Sequence, residues 1–268
     1  MTNLPEKQKK LAESLSALPS CLIAFSGGLD SVFLAFMAKA HVPGRVLCVT
    51  VSDPSTPRRD IESAKESAES HGLEHLVIQS EIQPEVLINT SERCYHCKSA
   101  LFTRLDSIRE KEGLAVILDG ENASDSADDR PGSRAAREHG ILSPLAVAGL
   151  AKSDIRELAR EAGLKIWDRP ASACLCSRVP FGTAIDTGTL GKIDRTEDFI
   201  RSNGIGMVRA RAEGKGIRLE LGRKENTEGN WAMLKALDSQ IMKFGWESIE
   251  IDPNGYVPAG MRKKDDGK

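Results

Sequence analysis

The chain has 268 residues, 40% of them apolar and 28% charged, with a formal charge of −2; that length suits one large domain or a domain with a smaller companion. A balance this close to neutral provides no general attraction to nucleic acid or to an anionic membrane, so neither is expected as a partner. No apolar run approaches the roughly 18 residues of a membrane span, and the polar, lysine-rich residues 1–10 lack a signal-type apolar stretch behind them, so a cytoplasmic location with reduced cysteines is expected.

Leu11, Leu15 and Leu18 recur at helical spacing, predicting an amphipathic helix over residues 5–18. A short apolar strand over 21–25 runs into Ser26-Gly-Gly-Leu-Asp-Ser31, and a helix is expected over 32–40. A second strand follows at 46–51. Thr56 reads as an N-cap with Pro57 at the first helical position, opening a helix that stops near Gly72. Residues 76–78 form a third strand. Beyond a polar stretch, a helix is expected over 98–111 and a buried strand over 114–118. Ser153 reads as the cap of a helix that presents Ile155, Leu158, Ala159 and Ala162 on one face and ends at Gly163. Strands alternating with helices predict a doubly wound α/β domain with a mainly parallel sheet over residues 1–180.

The pattern then changes. Residues 207–213 alternate, with Val208, Ala210 and Ala212 on one face and Arg209, Arg211 and Glu213 on the other. Gly214-Lys-Gly216 is turn material, and Ile217, Leu219 and Leu221 alternate again, predicting a β-hairpin. A helix over 230–244, a strand over 249–251 and the turn Pro253-Asn-Gly255 complete a smaller α+β domain over 181–260. The charged residues 261–268 are expected to be disordered.

Ser26-Gly-Gly-Leu-Asp-Ser31 carries the most chemistry. Gly27 and Gly28 let the backbone turn tightly between strand and helix, so that several N–H groups face one anion, and the helix adds its positive end. The hydroxyls of Ser26 and Ser31 add hydrogen-bonding capacity. Asp30 would repel phosphate, and makes sense if it carries Mg²⁺ or fixes the loop's own amides. The spacing is that of neither a Walker loop nor a dinucleotide fingerprint. Asp119, Asn122, Asp128 and Asp129 form an acidic loop after a strand end, where such sheets bind ligands; one or two could help hold Mg²⁺, and Arg130 and Arg134 could contact phosphates.

Of six cysteines, Cys21 and Cys48 sit inside apolar strands and read as core. Cys94/Cys97 and Cys174/Cys176 form two close pairs. Their chemistry has three readings: a structural zinc, an iron–sulfur cluster, or reactive thiolates favoured by Arg93, Lys98 or Arg178. Arg209 and Arg211 make a fork that could receive a phosphate, or could pair with Glu213 and Glu220 on a solvated strand face.

The loop resembles that of the ATP pyrophosphatase superfamily, the PP-loop enzymes, which include GMP, NAD and argininosuccinate synthetases and tRNA thiolases. That resemblance implies a grip on the pyrophosphate of ATP and transfer of AMP to an acceptor, with adenine near Val51 and Ser52. The whole set of segments is similar to the LarE family, the ATP-dependent sulfur transferases of nickel-pincer nucleotide synthesis. The matching segments are Ala24-Phe-Ser-Gly-Gly-Leu-Asp-Ser31, Arg93-Cys-Tyr-His-Cys-Lys98, Leu118-Asp-Gly-Glu-Asn122, Asp128-Asp-Arg-Pro-Gly132 with Arg134, residues 171–182, and Val208-Arg-Ala-Arg211.

Membership implies that Mg-ATP adenylylates a carboxylate of a pyridinium dicarboxylate mononucleotide, after which sulfur displaces AMP and leaves a thiocarboxylate. The sulfur comes either from the enzyme's own Cys174 or Cys176, which becomes dehydroalanine, or through a [4Fe-4S] cluster held by three of Cys94, Cys97, Cys174 and Cys176. The cysteine-rich form of the motifs favours the cluster. The resemblance further assigns Arg209 and Arg211 to the substrate phosphate, Glu197 to a carboxylate near the active site, residues 181–260 to substrate binding or assembly, and the whole chain to a homo-oligomer. The rival readings are a tRNA thiolase, for which no basic RNA-binding surface is evident, an ammonia-dependent amidotransferase ligase, which needs no thiol pairs, and a non-catalytic ATP-sensing module.

Overall fold

The computed structural model describes residues 3–125, 131–170 and 172–256. Asp128, Asp129, Arg130, Ala171 and the charged segment 261–268 therefore lie outside the described residues. The chain divides into two compact units, Met1–Ala173 and Cys174–Lys268.

The first unit opens with α1 (Leu4–Ser16), capped by Asn3 and Glu6, each side chain reaching the other's backbone N–H. Leu11 and Leu15 are its buried stripe, while Leu18 packs on the core from beyond the helix end. Strand β1 (Cys21–Ala24) leads through the glycine loop into α2 (Leu29–His41), then β2 (Val46–Ser52), α3 (Arg58–Ser70) and β3 (Glu74–Gln79). Next come α4 (Pro84–Leu87), α5 (Arg93–Lys111), β4 (Val116–Leu118), α6 (Pro131–Glu138), α7 (Pro144–Val147) and α8 (Lys152–Glu161). The sheet runs β3-β2-β1-β4 with every pairing parallel. Separate apolar clusters cover its two faces, one built on α1, α2 and α8, the other on α5 and α6. This is the doubly wound α/β class that the alternation predicts.

Three local expectations are corrected. Thr56 is not the cap of α3: its hydroxyl and N–H close a turn back onto Asp53, and Pro57 is the cap residue. The helix expected over 98–111 starts at Arg93, because the polar stretch before it already forms helical turns; Cys94 and Cys97 lie on that helix, not ahead of it. Ser153 is inside the first turn of α8, whose cap is Ala151 with its N–H received by Asp154 Oδ2 at 3.0 Å. Ile155, Leu158 and Ala159 are buried as predicted, but Ala162, past the helix end, is exposed.

The second unit begins at Cys174 with a single 3₁₀ turn over Leu175–Arg178. Helix α9 (Thr187–Ser202) is capped by Asp186, and strands β5 (Val208–Glu213) and β6 (Gly216–Leu221) form the predicted antiparallel hairpin around Gly214-Lys215. Helix α10 (Glu228–Met242) and β7 (Ile249–Ile251), parallel to β6, complete it. No helix among the described residues is long and apolar enough to cross a membrane.

Candidate active site

In the first unit the turn after β1 is shaped by two glycines with different duties. Gly27 has φ +68°, and a Cβ on it would come 2.6 Å from Ala64 Cα, so α3 closes against the loop only because no side chain intervenes. Gly28 is the N-cap of α2, and its N–H reaches Ser26 Oγ at 3.3 Å. Ser31 Oγ donates to Gly28 O at 3.0 Å and lies 3.2 Å from Ser26 Oγ, so the two serines brace the loop from either side. Thr50 Oγ1 holds the incoming strand by donating to Phe25 O at 2.6 Å. Gly120, after β4, packs over the start of α2, where a Cβ would stand 3.1 Å from Ser31 N.

Asp30 does not fix the loop's amides. Its Oδ2 accepts from Lys152 Nζ at 2.5 Å, and its Oδ1 is buried with no hydrogen-bond partner among the described residues. Burial pushes the carboxyl above its ordinary range, against the hydrogen bond and charge of Lys152 that hold it down. An orphaned buried carboxylate oxygen costs free energy unless something binds it. A hard cation fits: Mg²⁺ takes one or two carboxylates and completes its shell with water and phosphate. Within neither unit do the described residues gather three or more His, Cys, Asp or Glu side chains for a metal.

Asp119 is buried at the end of β4, where its Oδ1 accepts from Ser143 Oγ at 2.8 Å and Glu121 N at 3.2 Å. Asn122 is locked to Asp125 Oδ2 at 2.6 Å, so this residue shapes the loop. Burial raises the Glu121 carboxyl and the charge of Asp119 adds to it, which marks the loop as electrostatically crowded. Ser52 is buried at the end of β2. Arg134, on α6, pairs with Glu92 and stacks 4.4 Å over the Tyr95 ring, which fixes it beside the start of α5.

Cys94 and Cys97 occupy the first turns of α5, one exposed and one half-buried. A spacing of three places both on one side of the helix, so the pair can serve a common ligand but supplies only two of the three sulfurs that a cluster would need. Cys21 and Cys48 are core residues as predicted, and burial pushes both thiols up to about 12, which leaves them inert.

In the second unit Cys174 is exposed and Cys176 is buried. The turn that carries them is clamped by Arg178, which is fully buried. Arg178 grips Glu197 with two hydrogen bonds, Nε to Oε1 at 2.9 Å and Nη2 to Oε2 at 3.1 Å. Its Nη1 donates to Cys174 O and to Ser177 Oγ, each at 3.0 Å. Glu197 also accepts from Arg201 at 2.5 Å and from Ala210 N on β5 at 3.0 Å. Burial alone would raise this carboxyl, but Arg178, Arg201 and the Ala210 N–H hold it at about 2. Charged and enclosed, Glu197 has the geometry of a positioning group.

Arg211 binds Glu220 Oε2 through Nε at 3.0 Å and Ser177 O through Nη1 at 2.6 Å, so it ties the hairpin to the cysteine turn. Arg209 is buried, with its guanidinium 5.4 Å from the Tyr256 ring centre. Of the two carboxylates expected beside this fork, Glu220 pairs with Arg211 and Glu213 pairs instead with Arg218 at 2.7 Å. Each unit also holds a cation whose part is not evident from the chain alone. In the first unit Lys152 lies far from the loop in sequence, and nothing local singles it out. In the second, Arg178 is more than a cation near the thiols, because it clamps their turn.

A strand-to-helix turn of this sequence, set in a parallel sheet covered on both faces, defines an ATP-using enzyme of the PP-loop class. Residues 9–124 match the asparagine synthase family, which belongs to the same superfamily. An uncharacterised protein of Synechocystis is 33% identical over 263 residues, covering 97% of this chain and 98% of its own length. The pyridinium-3,5-bisthiocarboxylic acid mononucleotide synthase of Lactiplantibacillus plantarum is 30% identical over 266 residues, covering 97% of this chain and 95% of its own length. An uncharacterised protein of Methanocaldococcus jannaschii is 34% identical over 190 residues, 71% of this chain and 73% of its own length. The chain belongs to the LarE family of which the L. plantarum synthase is a member.

Proposed function

We propose that this enzyme adenylylates a carboxylate of pyridinium-3,5-biscarboxylic acid mononucleotide and then replaces AMP with sulfur, giving a thiocarboxylate. The carboxylate oxygen attacks the α-phosphorus of ATP, pyrophosphate leaves, and a sulfur nucleophile displaces AMP from the acyl carbon. The reading is carried by one coincidence: a phosphate-gripping loop and two cysteine pairs occur in a chain that aligns over 97% of its length with a named thiocarboxylate-forming synthase. A tRNA thiolase shares the loop and the cysteines but calls for a basic RNA-binding surface, and an amidotransferase ligase shares the loop but has no need of the thiol pairs.

In this reading the N–H groups of Gly27 and Gly28, the hydroxyls of Ser26 and Ser31 and the end of α2 receive the pyrophosphate portion of ATP. Asp30 would hold Mg²⁺, with Lys152 cancelling the remaining carboxylate charge; the cation would neutralise phosphate oxygens. Asp119 shapes the same end of the sheet, Ser52 neighbours the adenine, and Arg134 is a candidate phosphate contact. Arg209 and Arg211 receive the substrate phosphate. Sulfur comes through the cysteine pairs. Neither pair alone supplies the three ligands of a cluster, and iron and sulfide analysis of anaerobically purified protein decides that branch.

Substrate-dependent pyrophosphate release tests the proposal. Asp30→Ala should abolish it; release at the wild-type rate would remove Asp30 and the loop from the chemistry. Release that does not require the pyridinium mononucleotide would reject the substrate.

A further inference from the structure

We propose that Arg178 and Ser177 act on the carbonyl of Cys174, stabilising negative charge on its oxygen so that Cys174 can lose its Cα proton and surrender its sulfur. The inference rests on the reaction proposed above, taken through its sacrificial-cysteine branch, and it names both the donor cysteine and the groups that activate it.

Three donors converge on the Cys174 oxygen: Ser177 Oγ at 2.8 Å, Arg178 Nη1 at 3.0 Å and Ser177 N–H at 3.1 Å. The Ser177 N–H bond belongs to the 3₁₀ turn itself and would exist without any chemistry. The guanidinium does not belong to the turn. It is fully buried, anchored from behind by Glu197, and its Nη1 donates both to this carbonyl and to Ser177 Oγ, the hydroxyl that donates to the same carbonyl. Fixed donors around an oxygen, one of them cationic, are what a developing oxyanion requires. Ser177 is itself restrained, since its own carbonyl is held by Arg211. The Cys176 carbonyl receives the Val179 N–H at 3.2 Å, and the Cys176 side chain is buried, whereas Cys174 is exposed to an incoming acyl group.

The step balances without an oxidant or reductant. Attack of Cys174 Sγ on the acyl adenylate forms an S–C(acyl) bond, breaks the acyl C–O bond so that AMP leaves, and gives the thiol proton to solvent, leaving a thioester on Cβ. The Cα proton departs to solvent, to which Cys174 is exposed, and its electron pair is delocalised onto the Cys174 carbonyl oxygen as an enolate. Collapse of the enolate forms the Cα=Cβ bond and breaks Cβ–S, and the sulfur leaves with the substrate as a thiocarboxylate. Residue 174 has then lost the elements of H₂S. The charge develops where Arg178 and Ser177 already point.

The test is a single turnover of the full chain with Mg-ATP and the pyridinium dicarboxylate mononucleotide, followed by pyrophosphate release and by the masses of the protein and its Cys174 peptide. The wild type should pass through an acyl adduct to a Cys174 peptide lighter by one H₂S. In Ser177→Ala, pyrophosphate release and adduct formation should persist while elimination slows by roughly tenfold to a hundredfold, as expected for loss of one donor to an oxyanion. Raising the pH should partly restore it, because solvent base takes the proton. Arg178→Lys, which keeps a cation beside Glu197, should behave likewise. Elimination at the wild-type rate in both variants overturns the inference, as does dehydroalanine at position 176. Thiocarboxylate product with Cys174 unchanged in mass overturns it while leaving the proposed reaction intact; absence of pyrophosphate release from the wild type overturns both.

Discussion

Replacing Glu197 by glutamine keeps the shape but removes the charge of the group that anchors Arg178 and Arg201. In the native unit its carboxyl is held at about 2 against an ordinary 4.5, a difference worth about 3 kcal/mol of stability. The folded value is the lower one, so this contribution is complete above the unfolded pKa and is lost as pH falls toward 2; about 2 kcal/mol of it is gone by pH 3. Glutamine cannot titrate, and at neutral pH it leaves Arg178 with an uncompensated buried charge, at a cost of about 3–5 kcal/mol. Urea unfolding followed by tryptophan fluorescence in a Trp167→Phe background measures this, because Trp231 and Trp246 both lie in the second unit. Other carboxylates titrate over the same range, so the quantity to read is the difference between wild type and variant. That difference should be large at pH 7 and shrink by about 2 kcal/mol at pH 3. A difference that stays constant over this range would refute the assignment of Glu197 as a buried, charged anchor.

Gly27→Ala places a Cβ 2.6 Å from Ala64 Cα at a positive φ, and should cost about 1–3 kcal/mol in unfolding and sharply reduce pyrophosphate release. Gly113→Ala is its control, having a positive φ but open space around it; an equal cost in both would mean that contact with α3 is unimportant. Lys152→Met removes the hydrogen bond and charge that hold the Asp30 carboxyl down. The acid limb of the pyrophosphate-release profile should therefore move to higher pH, and an unmoved limb would separate Lys152 from the reaction. Arg209→Met should raise KM for the phosphorylated substrate by roughly tenfold or more while leaving that for ATP unchanged, as loss of a charge-assisted contact requires; an unchanged KM for that substrate would remove Arg209 from its binding.

The first unit's sheet was legible because each strand is a short apolar run bounded by turn residues, and the alternation with helices then implies parallel order. Boundaries were less legible where tertiary contacts decide them. Thr56 looks like a cap, yet its hydroxyl is used on Asp53; Arg93 starts a helix in a polar stretch where Asn89, buried at φ +62°, accepts from the arginine. The phosphate loop could be read outright because its chemistry is local. Lys152 could not, since its meeting with Asp30 spans 122 positions. The arginines of the second unit were misleading for a related reason. A near-neutral sequence discloses no charge pattern when Arg178, Arg211 and Arg218 are each matched by a carboxylate brought in by the fold, and Arg201 by one a helical turn away.

The two cysteine pairs look alike in sequence but differ once their backbone is known. On an α-helix, residues three apart share a face, so Cys94 and Cys97 present their sulfurs together and suit a common ligand. In a 3₁₀ turn, residues two apart point in different directions, and Cys174 is exposed while Cys176 is buried. That pair is suited to a division of labour, with one sulfur reachable by an acyl group and the other enclosed. The clamp makes the same distinction from the backbone side. Arg178 could have satisfied its buried charge on Glu197 alone, yet it also holds the carbonyl of the exposed cysteine. Fixing that carbonyl fixes the plane with which the Cα–H bond must align for its electron pair to pass onto the oxygen. The Arg178–Glu197 pair, nowhere in contact with solvent, therefore bears on sulfur transfer through the geometry of Cys174, and its stability and the elimination rate should change together along a series of substitutions at position 197.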